Sequence, residues 1–93
     1  MWQIEEHRRV GKQLAAAPLD IQKRYEKWLD IATLSGPPGL RAIRGFNDER
    51  LAGEWRGFRS SHLNAQYRVI YRVIVARQLF QVVEVTAHDY RRR

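Results

Sequence analysis

The chain has 93 residues, 44% of them hydrophobic, with three Trp, four Tyr and three Phe, which suits one compact domain with a modest core. There is no cysteine, so neither a disulfide framework nor a thiolate metal site is available, in keeping with a reducing compartment. The opening MWQIEEHRRV lacks an apolar signal core, and no run approaches the roughly 20 apolar residues of a membrane span, so the expectation is a soluble, cytoplasmic protein that does not engage a membrane. The net charge of +7 is unevenly spread: residues 1–40 carry six Lys/Arg against five Asp/Glu, and residues 41–93 carry eleven against five.

Taken in chain order, WQIEEH reads as a short edge strand with Trp2 and Ile4 on one face. Residues 7–16 favour a helix with Val10 and Leu14 on one side, and His7 there is expected at the surface. Pro18 breaks that helix and can open the next. In PLDIQKRYEKWLDIATL the residues Ile21, Tyr25, Trp28, Leu29 and Ala32 form one apolar stripe, and SGPPG at residues 35–39 ends the helix.

After a loop through GFNDE the period changes from helical to alternating. GEWRGFRSS, YRVIYRVI and LFQVVEVTA read as three strands, with VARQ turning between the last two. Helices followed by strands predict an α+β fold, a small antiparallel sheet with two N-terminal helices packed on one face.

In YRVIYRVI, alternation sends Tyr67, Val69, Tyr71 and Val73 to one side and Arg68, Ile70, Arg72 and Ile74 to the other. The first face suits packing against the helices. The second carries arginines, either as stems covering apolar surface or as a site. All eleven cations beyond residue 40 are arginine, whose planar fork matches phosphate oxygens in pairs and implies a polyanionic partner. A coding bias toward arginine is the plainer alternative.

Pairing of these strands would gather Arg56, Arg59 and His62 with Arg68 and with His88, Asp89 and Tyr90. Such a group suits phosphodiester chemistry without a metal or cofactor. An imidazole takes a ribose 2′-hydroxyl proton, arginines stabilise the charge that grows on phosphorus, and an acid serves the leaving oxygen. The three histidines and scattered carboxylates show no metal-ligand spacing. His88, Asp89 and Tyr90 read as the far wall of a site, or as a structural histidine–aspartate pair with a tyrosine plug.

The stretches LAGEWRGFRSSHLNAQYRVIYRV and VVEVTAHDYRR resemble the RelE/ParE superfamily of bacterial toxin–antitoxin toxins, and within it the RelE/StbE-type messenger RNA interferases. The resemblance implies a RelE-like fold and a ribosome-dependent endoribonuclease that enters the A site. Such an enzyme cuts mRNA by 2′-hydroxyl attack to a 2′,3′-cyclic phosphate, and an acidic antitoxin neutralises it in a hetero-oligomer. Arg68 matches the transition-state arginine of the Y-R-V-I-Y strand. His62 and His88 match, in the contexts R-x-x-H and T-x-H, positions where histidine-using relatives place catalytic imidazoles, and Tyr90 falls near a base-stacking aromatic. Arg59 joins the catalytic set, while Arg56, Arg72, Asp89 and Arg91 are expected to contact RNA. Trp55 and Gly57 stand where RelE-type members have lysines. A ParE-like gyrase inhibitor without catalysis, and a simple basic nucleic-acid-binding module, are the alternative functions.

Overall fold

The computed structural model describes residues 1–87. The elements are β1 (Gln3–Glu6), α1 (Arg8–Ala15), α2 (Leu19–Ala42), β2 (Glu49–Arg50), β3 (Arg59–His62), β4 (Arg68–Ile74) and β5 (Leu79–Thr86), with single 3₁₀ turns at Arg44–Phe46, Gly53–Trp55 and Val75–Arg77. The five strands lie in the order β1-β5-β4-β3-β2.

Both helices cover one face of this sheet. Val10, Ile21, Tyr25, Trp28, Ala32 and Leu40 meet Val69, Tyr71, Phe80, Val82 and Val85 in one core. Trp28 is at its centre, stacked on Tyr25 at 5.8 Å and edge-on to Tyr71 at 5.3 Å and Phe80 at 5.8 Å. Burying each such ring is worth about 2–3 kcal/mol.

The expected α1 is present, and His7 is its N-cap: Nδ1 accepts the Arg9 amide at 3.1 Å. In α2 the apolar stripe faces the core as the spacing predicts. At SGPPG the helix does break, at Gly36 with φ 68°, but a second helical stretch restarts on Pro37 and Pro38 and runs to Ala42. Proline is favoured in a first helical turn, where its missing N–H costs nothing. Gly36 is required twice over, because a Cβ there would stand 2.5 Å from Trp2 Nε1 in addition to the positive φ.

The sheet is mixed. β3, β4 and β5 form the expected antiparallel meander, and the 3₁₀ turn at Val75–Arg77 makes the expected reversal. β1 is an edge strand as expected, yet it runs parallel to β5, Gln3 opposite Leu79 and Glu6 opposite Val82. Beyond Glu6 the edge of β5 is covered by α1, where Gln13 Oε1 accepts the Val85 amide at 2.8 Å. A bulge between β4 and β5 pairs Ile70 with Glu84 but Tyr71 with Val82, so Val83 is the extra residue, and both Val82 and Val85 can face the core.

Only the end of GEWRGFRSS is strand. Gly53 at φ 65° and Gly57 at φ 92° curl the preceding segment into a turn, which breaks the alternation. β2, which pairs with β3 through Glu49 opposite Ser60 and Arg50 opposite Arg59, lies in the stretch read as loop. None of the helices among the described residues is long and apolar enough to cross a membrane.

Candidate nucleic-acid interface

The turn between β3 and β4 sets the register of the candidate site. Asn64 Oδ1 accepts the amides of Gln66 at 2.8 Å and Tyr67 at 2.7 Å, and the Leu63 amide donates to the Tyr67 carbonyl at 2.8 Å. From α2, Arg24 Nη1 donates to the Leu63 carbonyl at 2.8 Å. His62 is thereby fixed directly opposite Arg68, and Arg68 directly opposite Thr86. Side chains of directly paired residues share a face, with Cβ atoms about 4.5–5.5 Å apart.

This face is the one turned away from the helices. Below the His62–Arg68–Thr86 row lies a second, Glu49–Ser60–Ile70–Glu84, of which Ser60 and Ile70 are fully buried. Glu84 is engaged by Arg9 at 3.1 Å. Next along β4 comes Arg72, which is exposed, donates through Nε to Gln81 Oε1 at 2.7 Å and holds its guanidinium 5.5 Å from the Phe58 ring centre. Arg72 has no ion pair among the described residues. Arg68 and Arg72, four residues apart on an extended strand, are separated by about 13 Å, roughly the reach of two nucleotides of a phosphate backbone.

Arg59 is elsewhere. By strand alternation it shares the helix-side face with Ser61, and its Nε donates to Asp48 Oδ1 at 2.7 Å. The Asp48 carboxylate is wholly buried and also accepts Ser61 Oγ at 2.6 Å and the Tyr71 hydroxyl. Burial alone would pull the Arg59 guanidinium down, but the hydrogen bond and charge of Asp48 more than offset this and hold it above its ordinary value. Burial first, then the bond to Asp48, raises Tyr71 well above the usual tyrosine range. Arg56 follows the Gly53–Trp55 turn and is exposed. His88, Asp89, Tyr90 and Arg91 lie outside the described residues.

Sequence reasoning did not single out Asp48, whose partners are 11, 13 and 23 positions away. Nor did it find Arg24 and Lys27, which line a cavity beside His62; their three-residue spacing on a polar helix face was the available signal. Among the described residues no three His, Asp or Glu side chains gather as a metal site would need.

No family model and no curated protein matches the chain. Solved structures do. A chain of the archaeal RelE–RelB complex from Pyrococcus horikoshii superposes with a TM-score of 0.73 at 24% identity, covering 91% of this chain and 92% of that one. A YoeB/ParE toxin from Agrobacterium tumefaciens gives 0.74 at 18% identity, covering 94% and 99%. A chain of the DinJ–YafQ toxin–antitoxin complex of Escherichia coli gives 0.64 at 24% identity, covering 91% and 90%. The chain shares the fold of these structures, a RelE-like fold.

Proposed function

We propose that this protein is the toxin of a toxin–antitoxin pair and acts in the cytoplasm as a metal-independent, ribosome-dependent endoribonuclease on mRNA. The observation that carries the reading is His62 paired across the sheet with Arg68, on the face away from the helices, with Arg72 further along the same strand. A phosphate on that face would lie beside the paired residues Arg68 and His62, both partly exposed, with His62 Nε2 itself enclosed. The chains of like fold from Pyrococcus horikoshii and Escherichia coli occur in RelE–RelB and DinJ–YafQ complexes, which supports an acidic antitoxin as partner for the basic second half of this chain.

In the proposed step the 2′-hydroxyl attacks the adjacent phosphorus, the new P–O2′ bond forms, and the P–O5′ bond breaks. His62 takes the 2′ proton or returns one to O5′, with His88 in the complementary role. Arg68 stabilises the negative charge that grows on the non-bridging oxygens, Arg72, Arg56 and Arg91 guide the backbone, Asp89 contacts the RNA, and Tyr90 stacks on a base. Arg59 acts through Asp48, holding β3 in place beneath His62. The products are a 2′,3′-cyclic phosphate and a 5′-hydroxyl.

The test is Arg68→Ala. Removing a transition-state donor of this kind costs about 100–1,000-fold in rate, and a half-buried strand residue at the sheet surface can be truncated with the fold kept. Cleavage of translated mRNA should fall by that factor while the urea midpoint stays within the folded range. Unchanged cleavage would refute the assignment.

A further inference from the structure

Apart from His62 itself, the residues lining the cavity beside it have no part in the reaction just described. The cavity encloses about 380 Å³ between α2, the turn Arg44–Phe46 and the end of β3, and is lined by Arg24, Lys27, Ile43, Phe46, His62 and Leu63. Among the described residues no carboxylate lines it. A second hollow, about 330 Å³ against β1, β4 and β5, sets Glu5 and Glu6 beside His7 and Arg72, a mixed charge less suited than this one to holding a phosphate, though Arg72 at its edge can still meet the backbone.

Arg24 and Lys27 lie three apart on α2 and so point to the same side of the helix. Arg24 spends one N–H on the Leu63 carbonyl, and the rest of its five-donor fork stays available. Lys27 is exposed and has no ion pair among the described residues. The turn after α2 and the end of β3 add apolar lining: Ile43, 39% exposed, with the buried Phe46 and Leu63. With cationic and apolar lining together, the cavity matches a phosphate joined to a flat base. Its volume sits at the low end of the roughly 300–1,000 Å³ of small-ligand sites, enough for one nucleotide and too little for a duplex.

His62 belongs both to this lining and to the row with Arg68. We infer that the cavity is a nucleotide subsite of the single-stranded RNA path: it takes the residue next to the cleaved bond, with that residue's phosphate on Lys27 and Arg24 and its base against Ile43 and Phe46. This rests on the ribonuclease reading for its substrate, and it makes α2 a determinant of sequence preference. Single-stranded RNA can supply such a base because its bases unstack and splay into protein pockets.

The experiment is an NMR titration of the purified full-length protein with each common nucleoside 5′-monophosphate and, separately, with inorganic phosphate. The methyl signals of Ile43 and Leu63 and the ring signals of His62 should move saturably with a nucleotide, and phosphate alone should bind about tenfold more weakly because it forgoes the apolar wall. Lys27→Glu should weaken nucleotide binding about tenfold, and Ile43→Ser should do so without changing the response to phosphate. Both positions are exposed, so urea midpoints near the wild type will certify the fold. Nucleotide binding confined to Arg68 and Arg72, or phosphate binding as tight as nucleotide binding, overturns the inference. The ribonuclease reading is tested apart from it: saturation of the cavity by a protein that cuts no RNA upholds the subsite and sinks the nuclease, and cleavage by a protein whose cavity signals stay still does the reverse.

Discussion

Asp48→Asn probes the buried carboxylate of Asp48, which joins β3 and β4. The wild-type oxygens accept from Arg59 at 2.7 Å, from Ser61 at 2.6 Å and from the Tyr71 hydroxyl, with no solvent exposure of the carboxylate. An amide keeps the shape but turns one acceptor into a donor facing donors, and it removes the charge that compensates Arg59. Breaking a buried ion pair costs about 3–5 kcal/mol. The Arg59 side chain keeps 19% of its exposure and so recovers some hydration, which puts the loss near the lower end, about 3 kcal/mol. Against a total stability of about 5–10 kcal/mol for a domain of this size, the variant folds, but with a large part of its margin gone. Urea titration followed by Trp28 fluorescence should show the midpoint falling by about 2–3 M for a slope near 1 kcal/mol/M. Adding Arg59→Met to the variant removes the stranded charge, so the double variant should be no less stable than Asp48→Asn alone. A loss under about 1 kcal/mol, or two strictly additive losses, would refute this account of the network.

Gly36→Ala forces a Cβ to 2.5 Å from Trp2 Nε1 at a backbone φ of 68°, so displacement of Trp2 from Phe80 and a loss of about 2–4 kcal/mol are expected in thermal unfolding. Gln13→Leu leaves the Val85 amide without its acceptor and should cost about 1–2 kcal/mol, with faster hydrogen exchange at Val85 as the marker. Burial, then the bond and charge of Glu6, pushes Tyr25 far above the ordinary tyrosine value, and burial with Asp48 does the same for Tyr71. Both folded values are raised, so their stabilisation is complete below the unfolded value of about 10 and drains away above it, by about 1.4 kcal/mol per pH unit for each ring. Urea midpoints measured from pH 9 upward should fall, and Tyr25→Phe should flatten that slope; an unchanged slope would count against the Tyr25–Glu6 bond.

Much of this architecture was legible because single periodicities dominate it. The stripe from Ile21 to Ala32 reflects one buried face, and the alternation of β4 divides Val69 and Tyr71 in the core from Arg68 and Arg72, although Ile70 is buried on the opposite side. The parallel partner of β1 was hidden because four residues near the start pair with a strand more than seventy positions away, and nothing local specifies direction. GEWRGFRSS misled because Gly53 and Gly57 take positive φ where the composition suggests an extended run. Within the site, strand pairing was enough to bring His62 toward Arg68, while the Asn64 turn that sets them directly opposite emerged only from the structure. The role of Arg59 was not legible, since its parity with Ser61 turns it toward Asp48, an acid in a loop without any periodic pattern.

The central claim is that this chain cuts mRNA during translation. The most direct measurement is to express the wild type from a tightly repressed promoter and map new RNA 5′ ends across translated messages, with a parallel culture in which translation initiation is blocked. The account predicts 5′-hydroxyl ends within codons that vanish when translation is blocked. Growth arrest with a DNA-damage response and no new RNA ends would contradict it and would favour a gyrase inhibitor on the same fold.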